Sequence, residues 1–267
     1  MMVARDLMRE IPVVYPDDLV TKARKYLRED SFREIFVRDK NGCLAGYITI
    51  SDVIRVNDTK SNLEIQTFLR EAPGVCADAS VEDTLAQIKS AETDSVAVSS
   101  HTGELIGAVQ LAALFPVIMS RQHPDGLVSD YMATPVVTCG KDCPLHEVYS
   151  VITESGYDAL PVEEEGRLVG MISRTDLITH GHIRRSIEAK HKTPVEYVMV
   201  TPAIIAFKTD TIGDAAQAMI QHDVSRLPVI EPDGTIVGIV SRQDILNALE
   251  LPGVVHAQKY EEYETSR

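Results

Sequence analysis

The order of apolar and polar positions along the chain repeats four times. Each copy opens with a short apolar run, such as residues 203–207, which predicts a strand, and continues with apolar residues at helical spacing, as in 210–222. Two further apolar runs, such as 226–230 and 235–240, flank a turn rich in glycine and acidic residues, the pattern of a β-hairpin. A second helix follows the hairpin directly. The pattern predicts the order strand, helix, strand, strand, helix in every copy.

A proline and a seven-residue motif recur at matching positions and align the four copies. Internal repeats of this kind indicate a repeat architecture. The prolines are Pro12, Pro73, Pro135 and Pro202. The motif runs from a glycine through a hydroxyl residue to an aspartate, and it reads GYITISD at 46–52, GMISRTD at 170–176 and GIVSRQD at 238–244. In the second copy it reads GAVQLAA, with Gln110 and Ala113 in place of the hydroxyl and the aspartate. We expect repeats at residues 1–58, 62–121 (divergent), 127–182 and 194–250, followed by a polar tail at 251–267.

One repeat of about 55 residues buries too little apolar surface to be stable alone, so the repeats should pair. Polar linkers at 57–62, 120–126 and 181–193 group them into two modules, residues 1–121 and 122–267. The sequence therefore predicts an α+β fold of four β-α-β-β-α repeats, paired sheet to sheet into two modules.

The hydroxyl and the aspartate of the motif admit two interpretations. At the start of a helix, a Ser or Thr followed three positions later by a carboxylate is a capping box, which satisfies unpaired backbone N–H groups. The same helix start can present N–H groups and a hydroxyl to phosphate or ribose oxygens. The motif glycine would let a ligand approach the chain closely, and Arg174 and Arg242 would add cations. The two roles are compatible, because one carboxylate oxygen can cap the helix while the other faces a ligand.

Composition and charge exclude several classes of function. The 267 residues carry a formal net charge of -14, which argues against a general nucleic-acid binder, because phosphate backbones require clustered Lys and Arg. The sequence contains no Walker A loop, GxGxxG fingerprint, HExxH pair or activated nucleophile, so we expect neither an enzyme nor a metal site. Cys139 and Cys143 are expected to be free thiols. The most apolar stretch, 105–119, is too short to span a membrane, which favours a cytoplasmic protein.

Three motifs together resemble those of the cystathionine-β-synthase-type (CBS) domain family. They are M-x-T-P before the first strand, L-P-V on the second strand, and G-h-h-[ST]-x-x-D before the last helix, where h is apolar. The chain is similar in layout to the gamma subunit of AMP-activated protein kinase and to stand-alone four-repeat proteins of archaea and bacteria. The resemblance implies two Bateman modules in a disc-like, pseudo-symmetric assembly.

The resemblance also implies ligand binding in clefts between paired repeats. The ligand would be an adenosine nucleotide (AMP, ADP or ATP), and binding would be transmitted to an unidentified effector protein. The cleft of the fourth motif would combine Ser241, Arg242 and Asp244 with Thr134, Val136, Tyr157 and Asp158. The cleft of the third motif would combine Ser173, Arg174 and Asp176 with Thr201, Ile204, Val224, Ser225 and Arg226, of which Arg226 matches a phosphate-reaching position. The cleft of the first motif would combine Thr49 and Asp52 with Val75 and Ser95. The second motif lacks the aspartate, so its cleft would be empty or bind something else.

Alternatives to a nucleotide sensor remain open at this point. Asp158 stands where a phosphate site would favour a neutral or basic residue, so the ligand could instead be S-adenosylmethionine or methylthioadenosine. A ligand-free scaffold, in which the motif only caps helices, is a further alternative. Residues 182–192 (HIRRSIEAKHK) are consistent with a solvated helix or with a basic arm that contacts phosphates or an acidic partner. The sequence is compatible with a homodimer.

Overall fold

The computed structural model describes residues 2–29, 32–56, 62–179 and 193–249, which form four repeats of one design. Repeat 1 contains α1 (Ala4–Leu7), α2 (Val20–Glu29), β1 (Glu34–Arg38), β2 (Leu44–Thr49) and α3 (Ile50–Arg55). Repeat 2 contains a 3-10 turn (Ile65–Phe68), β3 (Gly74–Cys76), α4 (Val81–Ala91), β4 (Ser95–Ser99), β5 (Leu105–Gln110) and α5 (Leu111–Arg121). Repeat 3 contains α6 (Val128–Tyr131), β6 (Cys139–Gly140), α7 (Leu145–Ser155), β7 (Ala159–Glu164), β8 (Arg167–Ser173) and α8 (Arg174–Thr179). Repeat 4 contains a 3-10 turn (Val195–Tyr197), β9 (Ala206–Phe207), α9 (Ile212–Gln221), β10 (Arg226–Ile230), β11 (Ile236–Ser241) and α10 (Arg242–Ala248).

Helix α9 shows how the sequence pattern produces these elements. Thr211 caps its N-terminus by accepting a hydrogen bond from the backbone N–H of Asp214. Its apolar residues recur at helical spacing, and Ile212, Ala215 and Met219 are buried on one face. That face packs into a core that repeat 4 shares with repeat 2. The predicted helix at 210–222 is therefore confirmed with slightly shorter bounds.

Each repeat is built on an antiparallel hairpin, and a short parallel first strand extends the hairpin in repeats 2, 3 and 4. The first strand predicted for repeat 1 is not formed. Residues 13–15 run beside β1 with one hydrogen bond, from the Arg38 N–H to the Val14 carbonyl at 3.0 Å. Pro16 follows and has no N–H to continue a ladder. In repeat 3 the strand forms at Cys139–Gly140, just after the predicted run at 136–138.

The same backbone hydrogen bond closes the end of the hairpin in all four repeats. In each, the first residue of the helix after the hairpin donates its N–H to the carbonyl of the residue just before the first strand of the hairpin, at 2.7–2.9 Å. The donors are Ile50, Leu111, Arg174 and Arg242, and the acceptors are Arg33, Asp94, Asp158 and Ser225 in the same order. The divergent second repeat therefore keeps the backbone design, and the four acceptors occupy equivalent positions.

The repeats pair 1 with 2 and 3 with 4 through crossed N-terminal arms. The arm of a repeat is the segment from its first helical turn to its register proline, and its backbone bonds to the partner repeat. Each arm forms one antiparallel bridge to the residue after the partner's motif glycine: Arg9 to Ala108, Arg70 to Tyr47, Ala133 to Ile239, and Val200 to Met171. Both members of every bridge exchange N–H and carbonyl hydrogen bonds of 2.8–3.1 Å. The crossing makes the pair of repeats the structural unit.

The motif glycines are required by these arms. A Cβ on Gly46 would lie 2.4 Å from the carbonyl oxygen of Arg70, and a Cβ on Gly107 would lie 2.7 Å from that of Arg9. A Cβ on Gly170 would lie 2.9 Å from the Val200 carbonyl oxygen, and one on Gly238 would lie 2.4 Å from the Met132 sulfur, both in the partner's arm. The expectation that the missing Cβ admits a ligand was therefore wrong, because the partner repeat fills that space.

The two modules stack through their helices, with repeat 1 on repeat 3 and repeat 2 on repeat 4. Helices α2 and α3 contact α8, while α5 contacts α9. Polar contacts join the same pairs: Tyr149 Oη donates to the Ile54 carbonyl at 2.5 Å, and Lys89 Nζ donates to the Leu246 carbonyl at 3.0 Å. The α+β fold of two pseudo-symmetric modules is as predicted. Within the described ranges, no helix combines the length and apolar character needed to cross a bilayer.

Candidate ligand-binding site

The hydroxyl and the aspartate of each complete motif form a capping box. In repeat 3 the Asp176 Oδ2 atom accepts hydrogen bonds from the Ser173 N–H at 2.8 Å and the Ser173 Oγ at 2.6 Å, while the Asp176 N–H donates to Oγ. Thr49 with Asp52 and Ser241 with Asp244 repeat this geometry. The capping interpretation is confirmed, and in all three copies it uses the same carboxylate oxygen, Oδ2.

A cavity of about 330 Å³ opens beside the third motif, between repeats 3 and 4. Its wall includes all but one of the residues that the sequence assigned to this cleft, namely Ser173, Arg174, Asp176, Ile204, Val224, Ser225 and Arg226. The exception is Thr201, whose hydroxyl donates to the Val169 carbonyl at 2.8 Å. Thr201 is not among the lining residues, although its neighbours Val200 and Pro202 are. The structure thus assembles this cleft, apart from Thr201, from segments that are distant in sequence.

Asp158 lies in this cleft between two guanidinium groups. Its carboxylate contacts Arg174 at 2.7 Å and Arg226 at 2.5 Å. Burial would raise the pKa of Asp158, but the neighbouring cations, above all Arg226 and Arg174, outweigh burial and lower the pKa. The carboxylate is therefore ionised at neutral pH and fixes both guanidinium groups. Two cations on one anion leave this end of the cleft positively charged, so Asp158 does not disfavour an anionic ligand there.

A third cation reaches the cleft from the other module. Arg33 of repeat 1 donates to Ser225 Oγ at 2.8 Å and to Asp94 at 2.9 Å, and it also lines the cavity. The sequence analysis missed Arg33. The available signal was its register, because Arg33, Asp94, Asp158 and Ser225 occupy equivalent positions in the four repeats. These positions converge where the modules meet, which makes the cleft a junction of both modules.

A larger cavity, of about 1770 Å³, lies next to the first one and shares Arg33, Asp158, Ser225 and Arg226 with it. Most of its other lining residues come from α4 and the segment after it, from the linker at 122–125 and from α10. The two cavities therefore meet at the charged cluster. A ligand in the smaller cavity with an extended anionic group could reach into the larger one.

The cleft predicted at the fourth motif is only partly assembled. Ser241, Arg242 and Asp158 line the larger cavity, but Thr134, Val136 and Tyr157 are not among the residues that line either cavity. Tyr157 is 42% exposed. The sequence grouped these residues correctly by repeat, but it could not show that Thr134, Val136 and Tyr157 lie outside the cavity wall.

In the fourth motif Arg242 is buried and Asp244 is partly buried. Burial raises the pKa of the Asp244 carboxyl. The guanidinium of Arg242 lies 5.7 Å from the centre of the Phe115 ring and 3.2 Å from Asp223, and burial lowers its pKa. Arg242 therefore joins repeat 4 to repeat 2, in addition to lining the larger cavity.

The predicted cleft of the first motif holds an arginine of the protein itself. The Asp52 side chain is 5% exposed, and its Oδ1 accepts a hydrogen bond from Arg70 at 2.6 Å. Ser95, which the sequence placed in this cleft, donates instead to Glu34 at 2.7 Å, and Val75 packs against the core shared by repeats 2 and 4. Ribose binding at Asp52 stays a prediction, and it would require Arg70 to move.

Glu34 is a buried carboxyl at the same boundary between repeats 1 and 2. It accepts hydrogen bonds from the Asp94 N–H at 3.0 Å and from Ser95 Oγ. Burial, with the nearby Asp94 carboxylate, raises its pKa to about 7. This group therefore titrates in the physiological range, although the sequence gave no reason to single it out.

The remaining sequence candidates lie apart from the cleft. Cys139 and Cys143 are free thiols, and burial raises the pKa of Cys139 to about 12, so it is protonated and unreactive at neutral pH. The basic segment at 182–192 and the tail at 251–267 lie outside the described residues.

Comparison with known proteins identifies similar chains of the same length. MJ1225 of Methanocaldococcus jannaschii is 23% identical over 265 residues, which cover 89% of this chain and 95% of that protein. Its crystal structure, described as a candidate archaeal homologue of γ-AMPK, matches with a TM-score of 0.77 at 20% identity, covering 92% of this chain and 99% of that one. A conserved Pyrococcus horikoshii protein of known structure gives a TM-score of 0.63 at 21% identity over 92% of this chain and 99% of that one. At these identities the likeness establishes the fold.

Another relative is longer than the part that this chain matches. MJ1404 of Methanocaldococcus jannaschii is 23% identical over 254 residues, which are 90% of this chain and 60% of that protein.

A family model matches three segments that coincide with repeats 1, 3 and 4. The model describes the CBS domain, and the matched residues are 4–58, 128–182 and 195–251, more than half of the chain. Repeat 2, whose motif lacks the hydroxyl and the aspartate, lies between these segments and shares their backbone hydrogen bonds. The chain belongs to the CBS-domain family.

Proposed function

We propose that the protein is a regulatory sensor of adenosine nucleotides (AMP, ADP or ATP) whose main site is the cleft between repeats 3 and 4. Binding there is transmitted to a partner protein, and the chain has no catalytic activity of its own. The observation that carries the proposal is the assembled cavity. Its wall contains the aspartate of the capping box and three arginines drawn from both modules. We place the protein in the cytoplasm.

The cavity offers each part of a nucleotide a matching partner. Asp176 lies in the cavity wall, where its carboxylate can accept hydrogen bonds from ribose hydroxyls. Ile204 and Val224 provide apolar surface for a flat base. Arg174, Arg226 and Arg33 provide charge-assisted hydrogen bonds for a phosphate.

The volume and charge of the cavity favour a compact anionic ligand. About 330 Å³ is at the lower end of the range for small-molecule pockets, which suits a nucleoside monophosphate. The larger cavity continues from the charged cluster, so further phosphates of ADP or ATP have room beyond it. AMP is therefore the first ligand to test, followed by ADP and ATP.

Arg33 provides the route by which binding could alter the whole protein. It links Asp94 of repeat 2 and Ser225 of repeat 4, so a phosphate that attracts Arg33 acts on both modules. Differential binding of this kind typically couples two sites by about 1–3 kcal/mol. An effector that recognises the relative position of the modules would sense this change.

The test is a binding titration with the Asp176→Ala variant and a matched control. Asp214 makes the same type of cap with Thr211 but lies on exposed surface, so Asp214→Ala removes a helix cap without touching the cleft. We expect isothermal titration to show AMP binding to the wild type and to Asp214→Ala, with a loss of at least tenfold in Asp176→Ala. Equal affinity in the two variants would contradict the assignment of the site.

A ligand panel separates the nucleotide proposal from its alternatives. Stabilisation by S-adenosylmethionine or methylthioadenosine but not by AMP, ADP or ATP would retain the site and change the ligand class. Ligand at 100 times its Kd should stabilise the folded protein by about 2.7 kcal/mol, which a thermal shift detects. The absence of stabilisation by any member of the panel, with protein shown to be free of bound nucleotide, would favour a ligand-free scaffold.

A further inference from the structure

One position in each arm faces the motif of the partner repeat. Arg9, Arg70, Ala133 and Val200 each form the antiparallel bridge to the residue that follows the partner's motif glycine. Because the backbone geometry is the same four times, these four side chains start from equivalent places. Differences between these four side chains therefore indicate which clefts have room for a ligand at this position.

In the first module both positions are arginines, and both arginines reach the motif of the partner repeat. Arg70 donates to Asp52 Oδ1 at 2.6 Å, the carboxylate oxygen that does not cap the helix. Arg9 donates to Gln110 Oε1 at 3.2 Å, where Gln110 stands in the hydroxyl position of the second motif. In both repeats of the first module, an arginine from the partner's arm therefore bonds to a motif side chain.

In the second module the equivalent residues carry no hydrogen-bonding group. They are Ala133 and Val200, and Val200 lines the 330 Å³ cavity beside Asp176. The side chain at this position therefore forms part of the cavity wall in the second module and crosses to the motif in the first.

The Arg70 contact is firmly placed. Its backbone N–H and carbonyl are both bonded to Tyr47 at 3.0 Å, and its guanidinium meets a carboxylate that is 5% exposed. The Arg70 side chain is itself 49% exposed, so the cost of displacing it arises on the Asp52 side, where a buried carboxylate would lose its ion-pair partner. A ribose hydroxyl is a weaker partner for a carboxylate than a guanidinium is.

We infer that Arg70 is a built-in occupant of the ribose position in the first module, so that nucleosides bind only to the second module. The arginine takes the carboxylate oxygen that a ribose would need, and Arg9 bonds to Gln110 at the pseudo-equivalent motif. The inference rests on the proposed function, since it takes the motif aspartate to be the ribose acceptor. It assigns a specificity-determining role to one arm position.

The test exchanges this position between the modules. Arg70→Val copies Val200 into the first module, and Val200→Arg copies Arg70 into the second. With AMP in isothermal titration, we expect Arg70→Val to bind one more equivalent than the wild type. Val200→Arg should lose at least tenfold in affinity at the Asp176 cleft. Arg9→Val is the matched control and should gain no equivalent, because the second motif has Ala113 in place of the aspartate.

Arg70→Val leaves the buried Asp52 carboxylate without its ion-pair partner, which can prevent folding. A second variant that keeps Arg70 is therefore included. Asp52→Ala in the otherwise natural chain should leave the AMP stoichiometry unchanged, because Asp52 binds Arg70 and no ligand. A fall in stoichiometry in Asp52→Ala would overturn the inference. So would an unchanged stoichiometry in folded Arg70→Val when the wild type binds AMP.

The proposed function and the inference can fail separately. Binding of AMP by the wild type with no additional equivalent in Arg70→Val overturns only the inference. Binding by Arg70→Val when the wild type binds nothing overturns the site at Asp176, and with it the inference that the second module binds the nucleoside. Absence of binding by both proteins overturns both.

Discussion

Arg33→Ala tests whether the ligand site extends across both modules. Arg33 belongs to repeat 1, yet it lines the cleft between repeats 3 and 4 and bonds to Ser225 at 2.8 Å. Removing its guanidinium should weaken the binding of a phosphate-bearing ligand and leave the binding of adenosine unchanged. The comparison of AMP with adenosine isolates the phosphate contribution.

The magnitude follows from the exposure of the side chain. A hydrogen bond to a charged group contributes about 1.5–3 kcal/mol. The Arg33 side chain is 32% exposed, and solvent screening at this exposure favours the lower end of the range. A loss of about 1.5 kcal/mol corresponds to roughly a tenfold rise in the Kd for AMP.

The assay is isothermal titration of both ligands against Arg33→Ala and a matched surface control. Arg121 forms an ion pair with Glu82 at 2.8 Å and is 37% exposed, but it lines neither cavity, so Arg121→Ala should not affect either ligand. Equal losses for AMP and adenosine in Arg33→Ala would show that the residue acts through the fold. An unchanged Kd for AMP would refute the placement of the phosphate at the charged cluster.

Two further predictions concern the packing of the repeats and the response to pH. Gly107→Ala should destabilise the protein by about 1–3 kcal/mol, because its Cβ would meet the Arg9 carbonyl oxygen at 2.7 Å. Gly140→Ala is the control for chemical denaturation, since a Cβ there has no neighbour within 4 Å, and equal effects would contradict the close-approach argument. The pKa of Glu34 is raised from 4.5 to about 7, so the folded state holds its proton more tightly than the unfolded state does. The stabilisation is then complete below about pH 4.5 and lost as the pH rises through about 7. Glu34→Gln should flatten this part of the curve of unfolding free energy against pH, and a curve that keeps the same slope would refute it.

The sequence predicted those parts of the fold that depend on local patterns. Helix α9 and the hairpins follow from the spacing of apolar residues and from turn glycines, which act within a few residues of the chain. The missing first strand of repeat 1 depends on Pro16, whose lack of an N–H is visible in the sequence but was outweighed by the apolar run. Local patterns therefore predicted most elements, and one proline accounts for the main difference.

The candidate site was predictable only where it is built from the repeat motif. Ser173 and Asp176 follow from the motif, and the register placed Val224 and Arg226 opposite them. Arg33 could not be assigned in this way, because its contact depends on the stacking of the two modules, which no single repeat encodes. The glycines show a related limit, since a missing Cβ signals a close approach but not whether a ligand or a backbone approaches.

The sequence of the arms also differs between the two modules at the position of Arg70. This difference can be interpreted only once the structure shows that the arms cross. The arms of repeats 1 and 2 contain MRE and LRE where those of repeats 3 and 4 contain MAT and MVT. Only the bridge between Arg70 and Tyr47 shows that this position faces a motif aspartate in another repeat.

The crossed arms also determine when the chain can complete its core during synthesis. Ala4 donates its N–H to the carbonyl of Ala79, and Ile65 is buried in the core of repeat 1. A nascent chain that ends before the second arm therefore lacks part of the first core and has nothing to cover its own first helix. Because domains generally fold in order as they leave the ribosome, the first stable intermediate should be the pair of repeats. The protein would then fold in two steps, one module at a time, and the core that repeats 2 and 4 share would be completed last.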